Sequence, residues 1–175
     1  MKDNSEEMFP VVDAEGNIIG AATRAECHGG SKLLHPVVHL HVFNSKGELY
    51  LQKRSLSKDI QPGKWDTAVG GHVDYGEEIE TALRREAREE LGITDYTPVF
   101  FLRYTYQSTR EREVVNDYYC IYDGDFNIDP VEIDEGRFWT REEIESQIST
   151  GIFTPQFSGE LEKISALWDK ILKNK

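Results

Sequence analysis

Gly71, Glu77, Arg85, Glu86, Glu89 and Glu90 are the residues of this chain whose types and spacing are suited to chemistry. On a helix, Glu86, Glu89 and Glu90 fall at i, i+3 and i+4, so three carboxylates leave one face within about one turn. Like charges held that close repel, and such a face either stays in water, as acidic runs ordinarily do, or gathers a cation. Two neighbours favour the cation. The Gly70-Gly71 pair before the helix lets backbone carbonyls approach closely, and Arg85 stands beside Glu86 and four residues before Glu89, placed to pin a carboxylate through bidentate contacts. Hard oxygen ligands of this kind suit Mg²⁺ or Mn²⁺ and do not suit zinc, which prefers His and Cys.

The elements that must position these residues are read from periodicity and turn chemistry. Ile79, Leu83, Ala87 and Leu91 recur four apart, predicting a helix over 79–91 that Gly92 terminates. Before it, the MFPVV and NIIGAAT runs flank the turn-prone Asp13-Ala14-Glu15-Gly16-Asn17 as a first β-hairpin. Thr23 caps a short helical turn ending at Gly29-Gly30. Val37–Phe43 and Leu49–Gln52 bracket Asn44-Ser45-Lys46-Gly47 as a second hairpin. Residues 55–64 read as loop and 65–73 as extended. After the helix come β-rich runs over 98–106 and 114–122, a short strand near Phe138, a helix capped by Thr140 with Glu143, and a last helix from about Gly159 to Leu172. Strands interleaved with a few helices predict an α/β or α+β sandwich on a mixed sheet.

The chain has 175 residues and a formal net charge of −12, a size that fits one compact domain, read as residues 8–175 behind a frayed, disordered tail at 1–7. No apolar run approaches the ~20 residues of a membrane span, and the N-terminus lacks the basic and apolar regions of a secretory signal, so a cytoplasmic protein without a membrane partner is expected. Cys27 and Cys120 belong to no CxxC pair and are read as ordinary thiols. The acidic balance argues against a nucleic-acid partner, and it means that a phosphate-bearing ligand would need a metal or a local basic cluster. Lys53, Arg54, Lys58 and Lys64 supply such a cluster just before the glycine pair, with Arg103, Arg110 and Arg112 later. From it Arg54, Lys58 and Lys64 are taken as substrate-binding candidates.

From Gly71 to Ile93 the residues match GX5EX7REUXEEXGU, with Ala87 and Ile93 in aliphatic slots, and the chain is thereby similar to the Nudix hydrolase family. The resemblance implies an αβα sandwich around a mixed sheet, with residues 71–93 forming loop, helix and loop. It implies divalent ions on the carboxylates, promoting attack of water on a diphosphate linkage of a small molecule. Carried over residue by residue, Glu86, Glu89 and Glu90 match the metal ligands and Gly71 the opening glycine. Arg85 matches the residue that orients the glutamates, and Glu77 supports the loop or acts as an outer ligand. Glu86 is the expected general base, although family members differ. Glu86, Arg85 and Glu89 form the expected catalytic set.

Over roughly residues 11–172 the chain also resembles the isopentenyl-diphosphate isomerase branch of that family, through Leu34-His35, the 53–58 run, Pro62-Gly63-Lys64-Trp65 and Gly71-His72. Those isomerases bind a metal through histidines at positions resembling His28, His35 and His72, with carboxylates on a strand where this chain has Val115 and Asp117. A second metal site at His28, His35, His72 and Asp117 is therefore set beside the plainer reading of packed histidines, while His39 and His41 share a strand face with no obvious partner. Gly70 stands where the isomerases have their catalytic cysteine, and they lack carboxylates at the positions of Glu86 and Glu89. The expectation is a hydrolase on an isomerase-like frame, acting on a nucleoside diphosphate linked to another moiety or a related organic diphosphate. An isomerase and a non-catalytic module binding a phosphorylated metabolite are the alternatives. Tyr104, Tyr106, Phe126, Phe153 and Phe157 are read as specificity or core aromatics, and exposed strands permit a homodimer without demanding one.

Overall fold

The computed structural model describes residues 4–174. β1 (Met8–Val12) and β2 (Ile18–Thr23) form a separate antiparallel hairpin. Asp13 closes its turn, Oδ1 accepting from the amides of Glu15 and Asn17 at 3.0 and 2.9 Å, a local bond that competes with strand pairing. Thr23 starts α1 (Arg24–His28) through a reciprocal capping box with Glu26. Residues 4–7, expected in the frayed tail, are tied to this helix. The Glu7 and Ser5 carbonyls accept from the amides of Arg24 and Ala25 at 2.7 and 3.1 Å, and Arg24 pairs with Glu7 at 3.3 Å. The rest of the expected tail, 1–3, lies outside the described residues.

The second sheet holds β3 (Leu34–Phe43), β4 (Leu49–Arg54), β5 (Trp65–Thr67), β6 (Val69–His72), β7 (Val99–Gln107), β8 (Arg112–Ile121) and β9 (Ile133–Trp139). β3 is its centre, with parallel β8 along its length and antiparallel β6 on the other side. β6 occupies the edge that a β3–β4 hairpin would use. Those two strands pair only at Phe43 and Leu49, and β4 turns instead to β5 and β9. The second hairpin thus exists at its turn alone.

Every residue of β3 is buried, because both faces of the sheet are covered. Val38, Leu40 and Val42 pack with Ala82, Leu83, Ala87 and Leu91 of α2 (Ile79–Leu91). Phe43, Leu49 and Leu51 pack with Ile144 of α3 (Arg141–Gln147) and with Phe157, Leu161, Ile164 and Trp168 of α4 (Pro155–Lys173). The result is the expected α+β sandwich on a mixed sheet, with an N-terminal hairpin. α2 ends at Gly92 in the left-handed conformation, φ 68°, as its terminating glycine predicts. α4 begins earlier than expected, since the Thr154 side chain accepts from Phe157 N and Pro155 takes the first position, where its missing N–H costs nothing. Among the described residues no helix is long and apolar enough to cross a membrane.

A polar cluster fixes α4 to β3 and β8. Glu160, 1% exposed, lies 2.9 Å from His39 Nδ1 and 2.6 Å from His41 Nε2, and it accepts from the Tyr104 hydroxyl. Asp117 is 3.2 Å from His41 Nε2 and 3.7 Å from His39 Nδ1. The two histidines read as having no obvious partner therefore have two buried carboxylates. Burial works against charge on both rings, but Glu160 at His39 and Asp117 at His41 outweigh it, raising them to about 10 and about 9. The same imidazoles hold Glu160 well below the ordinary carboxylate range, against its burial.

Both histidines are more basic in the folded chain than the ordinary 6.5. Their stabilisation is therefore complete below that pH and is lost as pH rises through the folded values. Melting followed by circular dichroism should show a Tm that falls progressively as pH rises from the ordinary 6.5 to about 9 and about 10, where the two rings finally lose their protons. Glu160→Gln should cost about 3–5 kcal/mol at neutral pH, because it strands buried imidazolium charge. A flat Tm over that range, or a Glu160→Gln protein as stable as the parent, would contradict the charged network.

Candidate active site

The guanidinium of Arg85 gathers four separate groups. Its Nε and Nη2 donate to the two carboxylate oxygens of Glu77 at 2.8 and 2.9 Å, and Nη2 also donates to the His72 carbonyl at 3.0 Å. Nη1 donates to Glu86 at 2.7 Å and to Glu89 at 3.4 Å. The loop between β6 and α2, the end of β6 and two of the helix carboxylates are thus held by one planar cation, as fork-shaped donors allow. Glu77 also accepts from the Asp74 amide at 3.0 Å, so its carboxylate is spent on the loop.

Gly71 is required by packing. A Cβ there would lie 2.2 Å from Glu86 Cδ, so any side chain would evict the carboxylate. Glu90, 8% exposed, accepts from the Gly70 amide at 3.1 Å and from Gln52 Nε2 at 3.4 Å. Glu86, Glu89, Glu90, Gly70 and Gly71 line one cavity with Gln52, Arg54, Lys58 and Arg85. Burial, opposed by Arg85, pushes the Glu86 carboxyl up to about 7. Burial and then the charge of Glu86 push Glu90 well above its ordinary value, against the Gln52 and Gly70 hydrogen bonds. These acids resist ionising without a further positive charge, and a set of oxygen donors alone fits a hard divalent cation.

A second cluster lies beside the first. His28 Nε2 is 3.0 Å from both His72 Nε2 and Glu111 Oε2, and His72 Nε2 is 4.0 Å from Glu113. His35 Nδ1 lies 2.8 Å from the Leu33 carbonyl, while its buried Nε2 has no hydrogen-bond partner among the described residues. One ligand atom from each of His28, His35, His72 and Glu111 lies within 4.8 Å of the others. Phe9 stacks on His72 at 4.5 Å. Burial lowers His35, and burial reinforced by Arg24 and the neighbouring histidines lowers His72 further. Both are therefore neutral imidazoles with lone pairs to offer.

Asp117 is not part of this cluster. The parallel register sets Glu113 opposite His35 and Asp117 opposite His39, and four residues along a strand amount to about 13 Å. The acidic members beside the histidines are Glu111 and Glu113. Their signal was the parallel pairing of β3 with β8, which strand-forming residues alone do not reveal.

Arg54 and Lys58 stand on the wall shared by the carboxylate cavity and a neighbouring one. Arg54 reaches the Ile60 carbonyl and Asp66, and Lys58 pairs with Glu132 at 2.6 Å. Lys64 lies elsewhere, its Nζ donating to the Gly151 carbonyl at 2.7 Å, and it lines neither cavity. Arg24 and Gln156, not singled out from sequence, do line the neighbouring cavity, as does Tyr106. Phe153 and Phe157 are core residues under α4, and Phe126 stacks on Tyr50 at 4.1 Å.

Known proteins are similar to this chain. A Yersinia pestis protein named as an uncharacterized Nudix hydrolase is 32% identical over 149 residues, which span 85% of this chain and 80% of that one. An isopentenyl-diphosphate Delta-isomerase of Citrobacter koseri is 37% identical over 112 residues, 63% of this chain and 61% of its own. The crystal structure of DR0079 from Deinococcus radiodurans superimposes with a TM-score of 0.80 at 26% identity, covering 91% of this chain and 99% of that one. The NUDIX domain family model matches residues 33–157. With that match spanning the glycine pair, the Arg85 hub and the three glutamates, the chain belongs to the Nudix family and is a Nudix pyrophosphohydrolase.

Proposed function

We propose that the protein hydrolyses the diphosphate linkage of a nucleoside diphosphate joined to another moiety, or of a related organic diphosphate, by attack of water on phosphorus with Mg²⁺ or Mn²⁺ as cofactor. The observation that carries this reading is the Arg85-organised set of Glu86, Glu89 and Glu90 on the floor of a cavity opened by Gly70 and Gly71. Those glutamates, with the backbone of Gly71, would hold the divalent cation. When bound, such an ion neutralises phosphate oxygens and makes water more acidic. Glu86, pressed against Gly71 and tethered by Arg85, takes the proton of the attacking water. Arg54 and Lys58 hold the far phosphate from the shared wall of the two cavities. Arg85 keeps the carboxylates in register, and residues 8–175 work as one domain.

The histidine cluster, with Glu111 and Glu113 as its acids, is proposed as a second metal site. Neutral imidazoles and an unpartnered buried Nε2 on His35 are the donors such an ion needs. The isomerase reading is weakened by Gly70, which has no side chain to move a proton on carbon.

Glu86→Gln should lower kcat by about 10²–10³-fold with the fold intact, the usual weight of a general base. Gly71→Ala should lower turnover comparably by displacing the same carboxylate. Substrates come from a panel of ADP-ribose, dinucleotides, coenzyme A, nucleotide sugars, prenyl diphosphates and nucleoside triphosphates, with and without Mg²⁺. Turnover in heavy-oxygen water should place one labelled oxygen on a phosphate product. Double-bond migration in isopentenyl diphosphate without phosphate release, or ligands that raise Tm but are never consumed, would overturn the proposal.

A further inference from the structure

His39 sits at the junction of the two cavities. β3 places it opposite Gly70 of β6 and Asp117 of β8. It lines the cavity that also holds Gln156 and Tyr106, and that cavity meets the carboxylate cavity along Arg54, Lys58, Gly70 and Gly71. A Cβ at position 70 would rest 3.5 Å from His39 Cδ2 and 3.6 Å from Nε2, so a side chain there would lie over the ring. Glycine leaves it uncovered. Nδ1 faces Glu160 at 2.9 Å, whereas Nε2 hydrogen-bonds to none of the described residues.

The protonation of that ring follows from its surroundings. Glu160 faces His39, His41 and the Tyr104 hydroxyl, and Asp117 faces both histidines. Both carboxylates are almost wholly buried, and buried charge persists when paired. Two carboxylates and two imidazoles balance with both acids ionised when both rings are protonated. His39 then gives one N–H to Glu160 and presents the other to the cavity.

We propose that His39 is a substrate-binding residue whose Nε2–H, uncovered by Gly70, donates to an anionic phosphate oxygen in the cavity adjoining the α2 carboxylates. This rests on the hydrolase reading above. It gives an acidic protein a fixed positive donor inside its site. Arg54 and Lys58 already spend donors on Asp66 and Glu132, whereas the outer face of His39 remains for the ligand.

Two substitutions separate the binding role from a structural one. In His39→Asn the amide nitrogen takes the place of Nδ1 and keeps the bond to Glu160 while losing the outward donor. In His39→Gln the amide nitrogen takes the place of Nε2, keeping the outward donor and losing the inward bond. With inorganic pyrophosphate and Mg²⁺ as the probe in calorimetry, His39→Asn should raise Kd about tenfold, the weight of one hydrogen bond to a charged group, and His39→Gln by less than about threefold. A purely structural histidine gives the reverse order. In the parent protein labelled with ¹⁵N-histidine, the His39 Nε2 resonance should shift as Mg²⁺-pyrophosphate is added, a reading that does not depend on either variant folding. Equal affinity in both variants, the reverse order, or a stationary Nε2 resonance at saturation overturns the proposal. If pyrophosphate binds the parent and is lost in Glu86→Gln but not in either His39 variant, this inference alone fails. If it does not bind the parent at all, the hydrolase reading fails with it.

Discussion

The site depends on one guanidinium holding together carboxylates that would otherwise repel. Glu86, Glu89 and Glu90 leave the same side of α2 within a turn, and two of them are drawn to Arg85 Nη1. The other edge of Arg85 is bound to Glu77 and the His72 carbonyl. The cation thus clamps the helix to the strand and the loop before it. Part of the negative charge is compensated, and the burial that raises Glu86 and Glu90 leaves them short of the further positive charge that full ionisation would need. A surface acidic run would be fully hydrated and would have no such demand.

β3 organises everything else. One face packs on α2 and so sets the helix that carries the glutamates. Its other face carries His35 and His39, each opposite an acidic residue of β8. β6 lies along its edge and brings Gly70 and Gly71 alongside. The two cavities meet at those glycines, where missing side chains leave room for the Glu86 carboxyl and expose the His39 ring. The same short segment therefore shapes both the carboxylate site and the adjoining cavity.

What was legible from the chain is what local chemistry determines. The α2 stripe, its glycine stop, the Asp13 turn and the Thr23 and Thr140 caps are each fixed within a few residues, and so is the spacing of Arg85 and the glutamates. Pairings set across the sheet were not legible. β4 left its expected partner because β6 took the edge of β3. Asp117 stands beside His39 and away from the expected His28, His35 and His72 because the parallel register, which joins segments far apart in the chain, sets it there. Glu160, the partner of His39 and His41, arrives from α4 at a separation of 121 positions from His39, and no pattern near the histidines announces it. The early start of α4 is hidden for a smaller reason. Thr154-Pro155 is a start signal, but the apolar stripe used to place the helix begins one turn later.

The central claim is that the α2 carboxylates, organised by Arg85 and the glycine pair, hold a divalent cation. Backbone amide NMR during a Mn²⁺ titration tests it directly, because paramagnetic broadening marks the residues nearest the ion. The account predicts that Gly70, Gly71 and the amides around Glu86 and Glu90 broaden at low Mn²⁺ and sharpen again on adding excess Mg²⁺. With the histidine cluster disabled by His28→Ala, they should also stay sharp in Glu86→Gln/Glu89→Gln. Broadening confined to other parts of the chain, or the same broadening in that combined variant, would contradict it.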